Sequence, residues 1–242
     1  MKKISLIISI IFISQMIYGG APVTKSLLLG NFEPKNDTNF CLIETKYADK
    51  ENMYIQKEVY NAYKKMYNDA LKEGIKLTII SCTRNFNSQK NIWERKWNNT
   101  EGNDTIKIRK IMQYSSMPGT SRHHWGTDID FISVENRYWT TEAGLKAYEW
   151  LKENAPKYGF NQPYTDDASR TGYKSEPWHW SYTPLSISYL KSYDCMISPA
   201  DINGFHGHSY IDKLNIIKTH VFGVDKTCIS LPLQNKMINF AR

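Results

Sequence analysis

Hydrophobic positions recur at helical spacing in three parts of the chain. Residues 49–73 repeat apolar side chains every three or four positions and are followed by Gly74, which predicts a helix with one buried face. Residues 87–97 are predicted as a shorter helix, and Thr140 or Thr141 can cap a third one because its hydroxyl accepts a backbone N–H of the first turn. The apolar face of the third helix contains Leu145, Tyr148, Trp150 and Leu151.

Short strand-like segments separate these helices. Strands are predicted at residues 75–84, 128–132 and 178–182, whereas residues 21–48 lack periodicity and are expected to form an extended, loop-rich segment. Because the strands do not alternate regularly with helices, the pattern indicates a single α+β domain.

The N-terminus has the layout of a signal peptide. Lys2 and Lys3 precede an apolar run at residues 4–13, and small residues follow near position 20. We therefore expect residues 1–20 to be removed and the protein to be exported to the periplasm, the cell envelope or the medium. The apolar run is shorter than the roughly 20 residues of a membrane-spanning helix, so no stable membrane insertion is expected after cleavage.

The chain carries 31 basic and 24 acidic side chains, a formal net charge of +7. Such a balance favours contact with anionic polymers, and outside the cell these are wall and envelope polymers rather than nucleic acid. We expect a monomer.

Four cysteines make an even count, which permits two disulfides in an oxidising compartment. A Cys195–Cys228 pair is the first expectation, since both residues lie near the C-terminus, and Cys41 with Cys82 is then left over. Four reduced, buried thiols are the alternative.

Three polar segments carry candidate chemistry, at residues 81–89 (SCTRNFNSQ), 121–131 (SRHHWGTDIDF) and 176–180 (EPWHW). His123, Asp130 and His179 can offer two imidazoles and one carboxylate, a set that leaves zinc an open fourth position. Glu176 precedes His179 by three residues and is the candidate general base.

These segments resemble three motifs of the VanY-type zinc D-alanyl-D-alanine carboxypeptidases. Residues 121–130 resemble SxHxxGxAxD, residues 176–179 resemble ExWH, and residues 81–89 resemble an upstream SxxRxxxxQ segment. The motifs occur in the family's order, and the resemblance covers about residues 50–190. It implies a central, mainly antiparallel sheet flanked by helices, with a zinc cleft on one sheet face. D,D-dipeptidases, phage endolysins and the hedgehog signalling domain belong to the same wider group.

The resemblance also implies a role for each motif residue. One zinc ion per chain would be held by His123, Asp130 and His179, with Glu176 as the catalytic base. Arg84 would bind a terminal carboxylate or steady the developing oxyanion. The residues implied to shape the substrate side are Arg84, Gln89 and Ser121.

Asp128 departs from the family pattern, because the motif usually has alanine there. Strand alternation puts Asp128 and Asp130 on one face. We therefore expect Asp128 to hydrogen-bond a zinc ligand. The alternative is that Asp128 competes as a zinc ligand itself. His124 is expected to be structural or to line the cleft, and His206, His208 and His220 are assigned to loops without a metal.

The resemblance implies an exported zinc metallopeptidase that hydrolyses the terminal D-Ala-D-Ala bond of peptidoglycan stem peptides. Residues 49–192 would form the catalytic domain and residues 193–242 a C-terminal extension. Two alternatives remain: an endopeptidase on the same scaffold, and a non-catalytic zinc-containing domain that binds the wall or signals. Retention of Glu176 and Arg84 argues against the second alternative.

Overall fold

A four-stranded antiparallel sheet forms the centre of the computed structural model, which describes residues 17–18 and 21–230. In chain order the strands are β1 (Ile17–Tyr18), β2 (Ala21–Pro22), β3 (Phe40–Leu42), β4 (Tyr54–Gln56), β5 (Ile79–Ser81), β6 (Asp128–Phe131), β7 (Phe160–Asn161) and β8 (His179–Tyr182). The helices are α1 (Lys25–Leu29), α2 (Lys57–Lys72), α3 (Phe86–Asn98), α4 (Asp104–Ile111), α5 (Glu142–Asn154) and α6 (Thr183–Met196).

The central sheet has the order β5-β6-β8-β7, and each neighbouring pair is antiparallel. This confirms the predicted α+β class with an antiparallel sheet. In register, Asp130 of β6 lies between Ser81 of β5 and His179 of β8. Strand pairing therefore brings the three polar segments of the sequence side by side.

Helix α2 confirms the long helical pattern but begins at Lys57, eight residues later than predicted. The preceding residues form β4, which pairs with β3. The predicted loop-rich segment thus contains a strand, and it also contains α1, where Thr24 caps the first turn and Leu28 and Leu29 are buried. These residues were wrongly predicted to be loop because their elements are too short to show periodicity.

Thr141 caps α5 by accepting the backbone N–H of Gly144. Trp150 and Leu151 are buried as predicted, whereas Leu145 is 50% exposed and does not belong to the buried face. Helix α4 was not predicted from the sequence; the Asn103 side chain caps it.

The segment after α6 packs on the domain core through Ile202, Phe205, Ile211 and Val221. No helix in the described part of the chain is long and apolar enough to cross a membrane. The predicted signal peptide lies outside the described residues, apart from residues 17–18.

The expected disulfides are absent: Cys41, Cys82, Cys195 and Cys228 are all unpaired. Cys228 is buried while Cys195 is exposed, and the Cys82 thiol lies 3.0 Å from the carbonyl oxygen of Tyr54. The alternative of four reduced thiols therefore fits the structure, but only Cys82 and Cys228 are buried, whereas Cys41 is partly buried and Cys195 is exposed.

Candidate active site

His123, Asp130 and His179 form one cluster on the sheet. One potential ligand atom from each lies within 4.8 Å of the other two, and all three residues are buried. His123 comes from the turn Arg122–Trp125 that precedes β6, where Gly126 ends the turn at a φ of 68°, a conformation that glycine adopts without strain. Asp130 and His179 are direct partners across the β6–β8 pair.

Each imidazole is fixed through its outer nitrogen. His123 Nδ1 lies 2.8 Å from the carbonyl oxygen of Cys82, and His179 Nε2 lies 3.0 Å from Asp128 Oδ1. The other nitrogens point inward, with His123 Nε2 3.4 Å and His179 Nδ1 3.2 Å from the two oxygens of Asp130. A hydrogen bond at the outer nitrogen selects the tautomer whose inner nitrogen has a free lone pair for a metal.

Asp128 is held by four donors. Its Oδ1 accepts from Arg122 Nε at 3.0 Å and from His179, and its Oδ2 accepts from Thr127 Oγ1 at 2.5 Å and from Ser181 Oγ at 3.1 Å. Arg122 is itself completely buried, and its Nη2 donates to Ser181 Oγ at 2.7 Å. Asp128 therefore lies behind His179, which supports its interpretation as a partner of the ligand rather than a ligand.

Burial and charge set the protonation of the carboxyl groups. Burial opposes ionisation of Asp130, but His123 and His179 outweigh it and lower its pKa. Burial raises the pKa of Glu176, although His179 opposes this shift. These shifts favour the ionised form of Asp130 and make Glu176 a stronger base than an ordinary glutamate.

The residues present fit a zinc ion. The Oδ1 atom of Asp130 is buried and has no hydrogen-bond partner within the described chain. Three carboxylates, Asp128, Asp130 and Glu176, surround His179 and raise its pKa well above the usual value in spite of burial. The carboxylates around His179 therefore favour a cation at this cluster. Two imidazole nitrogens with one carboxylate are a donor set that zinc accepts.

Glu176 stands beside the cluster. Its Oε2 lies 3.3 Å from His179 Nδ1, and the residue is 4% exposed. Its backbone is fixed on both sides, because its N–H donates to the Tyr164 carbonyl at 2.9 Å and its carbonyl accepts from Gln162 Nε2 at 3.0 Å.

Arg84 reaches the cluster from the segment after β5. Its Nη1 lies 3.8 Å from Asp130 Oδ2 and also donates to Ser81 Oγ. Its Nε donates to Gln89 Oε1 at 2.9 Å, and Gln89 Nε2 in turn donates to the Ser116 carbonyl at 2.7 Å. Gln89 therefore orients Arg84 in this structure.

A cleft of about 470 Å³ opens beside these side chains. The predicted site residues that line it are Arg84, Gln89, His123, Asp130, Glu176 and His179. Ser121 is buried outside the lining, and its hydroxyl has no hydrogen-bond partner in the described chain. The cleft is also lined by residues that were not predicted from the sequence, among them Lys96, Ser115, Tyr164 and Tyr173. Only Lys96 had a usable signal, because it follows Gln89 by seven residues on the same predicted helix.

His124 has a structural position. Its Nε2 accepts the Gly119 N–H at 3.0 Å, and its Nδ1 lies 2.7 Å from the Arg84 carbonyl oxygen. Burial lowers its pKa to about 3, so the ring is neutral at ordinary pH.

Residues 52–185 match the VanY family, described as D-alanyl-D-alanine carboxypeptidase, which is more than half of the chain. The chain belongs to the VanY family. The matched stretch contains all of the VanY motif residues discussed above.

Individual VanY relatives support this assignment. YodJ of Bacillus subtilis (strain 168), a protein named only provisionally as a carboxypeptidase, is 35% identical over 167 residues, which are 67% of this chain and 59% of YodJ. A D-alanyl-D-alanine carboxypeptidase of Enterococcus faecium is 31% identical over 141 residues, 57% of this chain and 41% of that protein. The similarity thus spans less than two thirds of either relative's length.

A solved structure shares the fold. The LdcB LD-carboxypeptidase superposes with a TM-score of 0.51 at 25% identity, over 76% of this chain and 80% of LdcB. The α+β architecture with its central antiparallel sheet is therefore shared with LdcB.

Proposed function

We propose that this chain is an exported zinc carboxypeptidase that hydrolyses the terminal D-Ala-D-Ala bond of peptidoglycan stem peptides. One observation carries the proposal: three candidate ligands, a buried glutamate and an arginine converge on one side of a single cleft. A structural zinc site is normally closed by four protein ligands, and among the described residues the grouping contains three. The remaining side is the one that Glu176 borders.

His123, Asp130 and His179 would hold the metal, each imidazole through its inner nitrogen. A zinc ion there would supply Lewis acidity, which makes a water molecule more acidic and polarises a carbonyl group.

Glu176 would accept a proton from the attacking water and deliver it to the nitrogen of the departing D-Ala. Its raised pKa favours the first of these steps, because it makes the carboxylate a stronger base. Arg84, fixed by Ser81 and Gln89, would stabilise negative charge that develops on a substrate oxygen in the cleft. The charged side chains would therefore already be in position when the substrate binds and would not need to reorganise.

The proposal is tested by D-Ala release from a stem pentapeptide, using the mature protein with zinc restored. Glu176→Gln and a chelator are the controls, and both must abolish release. A tetrapeptide that ends in a single D-Ala and intact peptidoglycan serve as further substrates.

Cleavage of intact peptidoglycan without D-Ala release would identify an endopeptidase. Zinc binding without hydrolysis of any of these substrates would identify a binding domain, and the enzymatic proposal would be wrong.

A further inference from the structure

A half-buried lysine in the cleft has no part in the reaction described above. Lys96 lies on α3 seven residues after Gln89, which is almost two helical turns. Both side chains therefore project from the same face of α3, and both line the cleft together with the candidate zinc ligands.

A neighbouring loop holds the Lys96 ammonium group. Lys96 Nζ donates to Ser115 Oγ at 2.5 Å, while Gln89 Nε2 donates to the carbonyl of the next residue, Ser116, at 2.7 Å. Side chains on a helix lean toward its N-terminus, so the lysine extends back in the direction of Gln89. The ammonium and the amide thus contact adjacent residues of one loop.

The ammonium is not neutralised within the described chain. No carboxylate there lies within 4.0 Å of Lys96 Nζ, and of its three donors only one has a protein acceptor. Burial lowers the pKa of Lys96, although the charges of Glu176 and Glu135 oppose this shift. Withdrawing a cation from water is unfavourable unless an anion compensates it, and the vacant donors face a cleft that a substrate can enter.

Arg84 and Lys96 differ in the residues that they contact in the cleft. The Arg84 guanidinium lies 3.8 Å from the candidate ligand Asp130, beside the place where a scissile carbonyl would sit. Lys96 lies near the C-terminal end of α3, and its ammonium group hydrogen-bonds Ser115 rather than a candidate ligand. A peptide C-terminus presents two separate sets of oxygens, because an amide nitrogen and a Cα atom separate the scissile carbonyl from the terminal carboxylate.

We propose that Lys96, together with Ser115, binds the free C-terminal carboxylate of the substrate peptide. The inference rests on the proposed function, and it leaves Arg84 to the carbonyl oxygen. A fixed cation at this position favours peptides whose chain ends one residue after the scissile bond, which makes Lys96 a determinant of carboxypeptidase specificity.

The test compares a pentapeptide with a free C-terminus and the same peptide as its C-terminal amide. Lys96→Met keeps an apolar stem of similar length but removes the charge, and Lys96→Arg restores it. Arg95→Met is the matched control, because it removes one positive charge from the exposed neighbouring position of the same helix. Zinc content and thermal unfolding are measured for every variant.

Lys96→Met is expected to raise KM for the free acid about 10- to 100-fold, the usual effect of losing a hydrogen bond between two charged groups. The kcat for the free acid is expected to change by less than about threefold, and kinetics on the amide are expected to match wild type. Lys96→Arg should return KM for the free acid most of the way to the wild-type value. Arg95→Met should leave the kinetics on both peptides unchanged.

An unchanged preference for the acid over the amide in Lys96→Met would overturn the proposal. A defect confined to peptides with a diaminopimelate carboxylate at the third position, compared with lysine there, would assign the ammonium to that other carboxylate and also overturn it. If wild type binds zinc but cuts neither peptide, the proposed function fails. The affinities for the uncut acid and amide then still decide whether Lys96 binds the carboxylate.

Discussion

Asp128→Asn is predicted to destabilise the protein and to weaken zinc binding at the same time. The substitution keeps the shape of the side chain but removes the negative charge that faces Arg122, whose side chain is 0% exposed. Removing one partner of a buried ion pair leaves the other charge uncompensated and costs about 3–5 kcal/mol. Since Asp128 also fixes the outer nitrogen of His179, zinc affinity is expected to fall about 10- to 100-fold.

The two effects separate in a double variant. Adding Arg122→Met to Asp128→Asn removes the unpaired cation, so the double variant is expected to be more stable than Asp128→Asn by about 1–3 kcal/mol. Zinc affinity is expected to stay low, because Arg122 bonds Asp128 and Ser181 but not His179.

Urea unfolding of the metal-free proteins gives the stabilities, and competition with a chromophoric chelator gives the zinc affinities. Ser181→Ala is the milder comparison, since it removes one donor to Asp128 and no charge. The reasoning would be refuted if the double variant lost as much stability as the two single variants added together, or if Asp128→Asn bound zinc with wild-type affinity.

Three further predictions concern the base, a C-terminal histidine and the core. Glu176→Gln is expected to lower kcat by about 10²- to 10⁴-fold with zinc affinity nearly unchanged, as measured by D-Ala release and metal titration; an equal loss of zinc would contradict its role as a base. Burial, followed by the charge of Arg170, lowers the pKa of His220 to about 4. Its neutral form therefore stabilises the fold fully above about pH 6.5, and this contribution is lost as the pH falls toward 4. The free energy of unfolding should depend less on pH between 4 and 7 in His220→Asn than in wild type. An equal pH dependence in the two proteins would contradict this assignment. Leu151→Ala, at a fully buried position, should cost about 2–5 kcal/mol in urea unfolding, whereas Leu145→Ala, at a half-exposed one, should cost less than about 0.5 kcal/mol.

The sequence predicted well where a local pattern determines the outcome. The helical spacing that places Val59, Tyr63 and Met66 on one buried face holds throughout α2. It failed at residues 54–56, because over three residues an apolar side chain fits a strand as well as a helix. There the pairing with β3 decides the structure, and a local pattern carries no information about a partner 14 residues away.

The site shows the same division. Motif order indicated which residues would cluster, but the contacts depend on register, since Asp130 meets His179 through the β6–β8 pairing. An even cysteine count permitted disulfides, yet a disulfide requires two Cβ atoms about 4 Å apart, which a sequence does not specify. The Lys96 ammonium was missed for a similar reason, because its environment depends on Ser115 in another loop.

Asp128 and Arg122 form a buried ion pair, and the role of each depends on the other. An aspartate at this position adds a third carboxylate around His179, beside Asp130 and Glu176, and their mutual repulsion would disfavour ionisation of all three unless a cation compensated it. Arg122 supplies that cation from the residue next to the candidate ligand His123, so one turn provides both a candidate metal donor and the counter-charge. Without Arg122, Asp128 would be a buried charge with no counter-charge from an arginine, and without Asp128 the buried Arg122 would lose its ion-pair partner, so each residue makes burial of the other possible.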